Sequence, residues 1–254
     1  MRYFLHLSYN GSLFYGWQKQ IDDISVQQTI EKALFYFLKE GEKDIVGCGR
    51  TDSGVNALNY YAHFDARELS NEEIEHLIFR LNNYFNYSIN IINIYRMQPS
   101  SHARFDAISR TYKYFISTKK QPFFNEFSYY FPHTLNIENM NLACEKLFQY
   151  SDFTSFSKLH TQVNNNNCNV MYAHWDASKE DNGIIVFTIK ANRFLRNMVR
   201  AIVGTMLLVG QEKISVEDFC RIIEKKDRQL SGTSVMAKAL FLYDIEYPKN
   251  IFLP

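Results

Sequence analysis

Twice along this chain, apolar residues switch between a period of two and a period near 3.6 in the same order, and few folds accommodate that. Tyr3, Leu5, Leu7 and Tyr9 alternate with Phe4, His6 and Ser8, which reads as a strand. Ser25 and Gln28 match a capping box, and Val26, Ile30, Ala33, Leu34, Phe37 and Leu38 follow at helical spacing until Gly41 can stop the helix. Strands are expected near 44–48 and 59–66. A second helix opens at Ser70 and Glu73 with Ile74, Leu77, Ile78 and Leu81 on its inner face, and Ile89, Ile91, Ile92 and Ile94 read as a strand. After residue 104 the pattern returns more loosely. A strand at 109–118 precedes a helix at 138–149 carrying Met140, Ala143, Cys144, Leu147 and Phe148. Strands at 170–177 and 184–191, a helix at 194–208 and a last strand at 239–247 complete it. A short strand at 128–133, the segment Asp152-Phe153-Thr154-Ser155-Phe156 and a helix at 216–225 decorate this second part.

Strand, helix, strand, strand, helix, strand is the order of the split βαβ, or ferredoxin-like, unit. The expectation is therefore an α+β chain of two similar ferredoxin-like halves, residues 1–104 and 105–254, with joined antiparallel sheets around a basic cleft. The tract Asn164-Asn165-Asn166-Asn167 reads as a mobile loop rather than a site.

Composition narrows the chemistry. With 46% hydrophobic and 16% aromatic residues, 254 residues can bury a sizeable core. Cys48, Cys144, Cys168 and Cys220 are scattered and form no C-x-x-C pair, which argues against a disulfide framework and a sulfur-rich zinc site. The histidines show no ligand spacing, and no glycine-rich phosphate loop or dinucleotide fingerprint is present, so neither metal nor cofactor is expected. The chain enters a strand pattern at Arg2 without an apolar leader, and its longest uncharged run is too short to span a bilayer. A soluble, cytoplasmic protein without membrane contact is expected.

Net charge is only +1, but it is segregated. Arg104, Arg110, Lys113, Lys119 and Lys120 face one acid, Asp106, within 102–120, and Lys190, Arg193, Arg196 and Arg200 face none within 190–200. Residues 65–75 hold Asp65, Glu68, Glu72, Glu73 and Glu75 against Arg67. A nearly neutral chain can thus present one basic face, which suits a phosphate backbone, although solvated faces are also often basic. Phe14, Tyr15, Trp17, Tyr60, Tyr61, Tyr112 and Tyr114 could stack bases or could be core.

Three places could carry chemistry. Gly47-Cys48-Gly49-Arg50-Thr51-Asp52-Ser53-Gly54-Val55 sets a guanidinium and a carboxylate on a glycine-bracketed bend between strands. Asp52 there fits either a reactive carboxylate or a side chain that bonds its own turn. On the helix expected at 194–208, Arg193, Arg196 and Arg200 fall on one side, which a solvated basic face also explains, and Arg200 lies among Met198, Val199, Ile202 and Val203, where a half-buried charge needs an anionic partner. Asp52 is the favoured candidate. Gly204 in the same pattern would either let another element come close or simply be tolerated. Tyr112 sits on a strand of alternating polarity and fits either cross-strand packing or a site role.

Several of these segments together resemble the TruA family of tRNA pseudouridine synthases, in order and along nearly the whole chain. They are Tyr9-Asn10-Gly11 through Tyr15-Gly16-Trp17-Gln18, then Gly49 to Val55, His102-Ala103-Arg104-Phe105 and Arg110-Thr111-Tyr112-Lys113-Tyr114. Asp152 to Phe156, Phe194-Leu195-Arg196-Asn197-Met198-Val199-Arg200 with Val203-Gly204, and Tyr243-Asp244-Ile245-Glu246-Tyr247-Pro248 follow. The resemblance implies isomerisation of uridine to pseudouridine at positions 38–40 of the tRNA anticodon arm by a homodimer without cofactor. It implies Asp52 as nucleophile, Tyr112 against the target base and Arg200 paired with Asp52. Arg50 would hold the flipped nucleotide, and Arg104, Arg110, Lys113 and Arg196 are the accompanying RNA-binding candidates. Asn56 stands where the family commonly has His. Asn86-Tyr87-Ser88 and Met236-Ala237-Lys238-Ala239 also depart from its usual turns. A non-catalytic RNA-binding module of the same fold is the alternative. Asp52-Ser53-Gly54 matches an aspartic-protease triplet but occurs once and follows the charged Arg50.

Overall fold

A computed structural model describes residues 1–41, 44–158, 165–177 and 183–253. The chain forms two compact units, Met1–Ile108 with Leu242–Pro254, and Ser109–Phe241.

In the first unit, β1 (Arg2–Tyr9) lies between β3 (Asn56–Asp65) and β4 (Ile89–Met97), antiparallel to both, with Leu5 opposite Ala62 and Ile94. α1 (Val26–Leu38) joins β1 to β2 (Val46–Gly47), a two-residue strand on β3, and α2 (Asn71–Phe85) joins β3 to β4. Both helices start where the sequence places them. Ser25 accepts the Gln28 N–H, one half of a capping box, whereas Ser70 and Glu73 complete both halves. α1 stops at Lys39, in left-handed conformation at φ 56°, two residues before the glycine expected to end it. Tyr3, Leu5 and Leu7 on one face of β1 are fully buried, as are Ile30, Leu34 and Leu81 of the helices. Each such aliphatic side chain contributes about 1.5–3 kcal/mol of transfer free energy. The opposite face is covered too: Phe4 packs with Met97, Ala103 and Ile251, flanked by Tyr61, Tyr95, Tyr247 and Phe252.

In the second unit, β5 (Ser109–Ser117) pairs antiparallel with β8 (Ile184–Ala191), and β8 with β7 (Val170–Asp176). β6 (Tyr129–Tyr130) runs parallel to β5. α3 (Ile137–Leu147) and α4 (Met198–Gly210) pack together, with α5 (Val216–Lys225) beside them. The core holds Trp175 stacked on Phe187, and the Trp175 indole N–H points at Met206 Sδ, 3.2 Å away. The last strand, β9 (Leu240–Glu246), returns to the first unit from Leu242 onward, where the Asn59 side-chain amide donates to the Tyr243 carbonyl. A single cut after residue 104 does not capture that return, because a strand's partner is set by its ladder and not by its place in the chain.

Two local expectations change. α4 begins at Met198 rather than 194, because Asn197 adopts φ 67° and a left-handed residue cannot continue a right-handed helix. Arg193 and Arg196 therefore precede the helix, and only Arg200 is on it. Part of the asparagine tract is also tied down. The Phe153 N–H donates to the Asn166 carbonyl, the Asn166 amide donates to Thr154 Oγ1 at 2.9 Å, and Asn167 bridges Asp152. Asn164 lies outside the described residues.

Gly204 does allow the close approach its position suggests. A Cβ built there would lie 1.9 Å from the Thr233 carbonyl oxygen, and one on Gly232 would strike the Gly204 backbone. Gly204→Ala is expected to cost about 1–3 kcal/mol through forced displacement of the 232–235 segment. Urea unfolding checks this, and wild-type stability would mean that the segment moves aside freely.

Candidate active site

The loop before β3 is held from below by residues far off in sequence. Trp17 and Tyr60 stack with ring centroids 4.1 Å apart, and the Tyr60 hydroxyl donates to the Gly49 carbonyl. The hydroxyls of Tyr9 and Thr51 share a buried hydrogen bond of 2.8 Å, and the Trp17 N–H donates to the Thr51 carbonyl. Gly16 lies directly on the next peptides. A Cβ there would be 2.5 Å from the Thr51 carbonyl oxygen and 3.2 Å from the Asp52 carbonyl carbon, and its φ of 86° already excludes an ordinary side chain.

With Thr51 fixed, the chain turns. The Val55 N–H donates to the Asp52 carbonyl across Ser53 and Gly54, and Gly54 has φ 79°. Asp52 is left half-buried at the head of the turn, beside exposed Arg50 and Ser53. Arg50 is oriented by Gln18, whose Oε1 accepts from Nε at 3.1 Å. Asn56, the departure from the family pattern, is buried and accepts the Gly11 N–H at 2.8 Å, so it closes the exit of the loop onto the β1 turn.

The second unit gathers a separate set. On β5, Arg110 and Tyr112 share the face of Tyr114, opposite Ala191, Ile189 and Phe187 of β8. Tyr112 is half-buried with its ring edge-on to Phe194 at 5.1 Å, and Arg110 donates to the Asn192 carbonyl. Lys113 points to the other face, opposite Thr188, so β5 does not bring it together with Tyr112. Half-buried Arg200 donates from Nε to the Val235 carbonyl at 2.7 Å. The next carbonyl, Met236, accepts the Tyr114 hydroxyl at 3.0 Å. Burial drives the Tyr114 phenol far above its ordinary pKa, against the opposing charge of Arg200. Arg196 is exposed in the turn before α4.

Arg104 belongs to the first unit, on a turn that sequence reasoning marked only as a motif. Buried His63 of β3 accepts the Ala103 N–H at Nδ1, 3.1 Å away, and His102 Nδ1 accepts the N–H groups of Arg104 and Phe105. Both imidazoles serve as neutral acceptors. Burial first, then the nearby Arg2 and His102, lower the His63 pKa to about 4, against the pull of Asp65 and Asp106. The signal for His63 was present in the sequence as a histidine alternating with strand apolars, but its partner lies 40 residues away. Among the expected stacking rings, Phe14, Trp17, Tyr60 and Tyr114 are core, whereas Tyr15 is exposed and Tyr61 lies half-buried against His6 at 4.3 Å. Among the described residues, no three of His, Cys, Asp or Glu gather to hold a metal ion.

Residues 143–248 match the model of a family described as tRNA pseudouridine synthase. The chain is 48% identical over 251 residues to tRNA pseudouridine synthase A of Bacteroides fragilis, covering 99% of this chain and 98% of that protein. It is 50% identical to the enzyme of that name from Parabacteroides distasonis, covering 99% and 98%, and 34% identical to that from Streptococcus uberis, covering 97% and 98%.

The His63 contact makes stability depend on pH. Its folded pKa is depressed to about 4, so the unfolded chain binds the proton first as pH falls below 6.5. The contribution is complete above pH 6.5 and is lost progressively down to about 4. It amounts to on the order of 2–3 kcal/mol. In His63→Asn the fall in unfolding free energy between pH 7 and 4.5 should be smaller by most of that amount. Urea titrations at several pH values decide this, and parallel curves would show that His63 does not stay neutral.

Proposed function

The chain belongs to the TruA family of tRNA pseudouridine synthases, and from that premise we propose that it converts uridine to pseudouridine at positions 38–40 of the tRNA anticodon arm. The observation that carries the reading is the Asp52 turn, a carboxylate held half-buried by a backbone clamp.

The base must lose its N1–C1′ bond, rotate in place and rejoin through a C5–C1′ bond; C5 then gives up its proton while N1 takes one up, so the product is an isomer. Atoms and electrons balance without a cofactor. The carboxylate of Asp52 serves as nucleophile toward the nucleoside or as base toward a sugar proton, and is regenerated at the end. A base inside a stem cannot be reached while stacked, so the nucleotide is extruded. Arg50, set by Gln18 one residue from the Asp52 clamp, holds the flipped nucleotide. Tyr112, whose ring is braced by Phe194, lies against the base. Arg104, Arg110, Lys113 and Arg196 bind the RNA backbone. In this proposal two split-βαβ halves join their sheets around a basic cleft, the first bringing Asp52 and the second Tyr112 and Arg200. The enzyme acts as a cytoplasmic homodimer without metal or cofactor. No helix among the described residues is long and apolar enough to cross a membrane.

Tritium release from tRNA labelled at uridine C5 tests the activity. Wild type should release it, and Asp52→Asn should bind tRNA within about threefold of wild type yet release none. Binding without release by the wild type would leave a non-catalytic RNA-binding module, and release by the variant would remove Asp52 from the chemistry.

The proposed pairing of Arg200 with Asp52 is tested by a double-mutant cycle. Arg200→Ala and Asp52→Ala should each destabilise, and the double variant should lose less than the sum. Denaturant melts of the four proteins measure the coupling. Strictly additive losses would show that the two side chains do not meet.

A further inference from the structure

The turn formed by residues 101–106 is far more constrained than an exposed loop requires. All six of its N–H groups are taken. Those of Ser101 and Asp106 donate to the carbonyls of Gln98 and His102. That of His102 donates to Asp106 Oδ2 at 2.7 Å, and those of Ala103, Arg104 and Phe105 donate to the imidazoles of His63 and His102. The carbonyls of Ser101 and Ala103 accept from Arg2 and from the Tyr247 hydroxyl. Such a network normally serves to bury something, yet here it holds a large ring out in solvent. Phe105 is 72% exposed. One of its neighbours is the His102 ring, with centroids 4.2 Å apart, and another is the Arg104 guanidinium, 5.6 Å from the ring centre.

We propose that the Phe105 ring is a stacking platform for one unpaired nucleobase of the RNA, with Arg104 receiving the adjoining phosphate; the proposal rests on the reading of the chain as a tRNA-modifying enzyme. An unpaired base offers an apolar face and a charge close by, and an aromatic next to an arginine answers both. The turn's own carboxylate, Asp106, is turned toward the His102 N–H, which it accepts at Oδ2. A rigid turn also lowers the ordering cost on binding, because the ring and guanidinium are already presented. His63 and Tyr247 act as positioning residues, since they hold the turn and do not touch the RNA.

The test uses the full chain, an unmodified tRNA transcript and a fully paired RNA duplex as control. Phe105→Ala should raise the Kd for the transcript about 5- to 150-fold, the worth of one stacked base. KM should rise with it, kcat should stay within about threefold, and the slope of log Kd against log salt should not change. Phe105→Trp should restore binding and Phe105→Leu should not, because an alkyl chain presents no ring face. Arg104→Ala should lower the salt slope by about one. Duplex binding should be indifferent to Phe105, as every base in it is already stacked. Unchanged transcript affinity in Phe105→Ala, or full affinity in Phe105→Leu, overturns the platform. So does a change of sedimentation with unchanged affinity, which would assign the ring to a protein contact. A wild type that binds the transcript but releases no tritium ends the isomerase reading alone, and the Kd series still decides the platform.

Discussion

The contact on which the site depends is backbone against backbone: Gly16 against the peptides of Thr51 and Asp52. A side chain at Gly16 would have to displace main chain, and main chain there is fixed from three sides. Tyr9 holds the Thr51 hydroxyl, Trp17 holds its carbonyl, and Tyr60 holds Gly49. The aromatics of this region thus serve the loop instead of the ligand. They are core in burial and scaffold in function. Such a mount sets the position of the Asp52 carboxylate before any ligand arrives.

The second unit uses the same device with different parts. Gly204 and Gly232 let the strand-like segment after α5 lie on α4, and the carbonyls of Val235 and Met236 then receive Arg200 and Tyr114. Arg200 is half-buried, and its guanidinium is partly answered by a neutral carbonyl. That bond fixes the direction of the side chain. The third mounted element, the His102 turn, is held by neutral imidazoles as well as by carbonyls, which ties its geometry to pH.

Much was legible in the sequence because it is local. Period-two and period-3.6 patterns locate β1, β3 to β5, β7 to β9 and the five α-helices within a few residues, and Ser70 with Glu73 marks a helix start that forms as a capping box. Asp52 on its glycine-bracketed bend was visible, and so was the close approach at Gly204. What the sequence alone could not settle was conformation at single residues. Asn197 in the left-handed region shortens α4 and takes Arg193 and Arg196 off the helix, although the apolar period runs straight through it.

The sequence by itself determined the elements, their order and the family, because side-chain periodicity and motif order are properties of neighbours along the chain. Tertiary structure decided the partners. Asn56 accepting from Gly11, His63 from Ala103, and Val235 from Arg200 each join residues more than 30 positions apart. No local pattern encodes such pairs, since each exists only once packing has brought a donor to an acceptor that water can no longer reach.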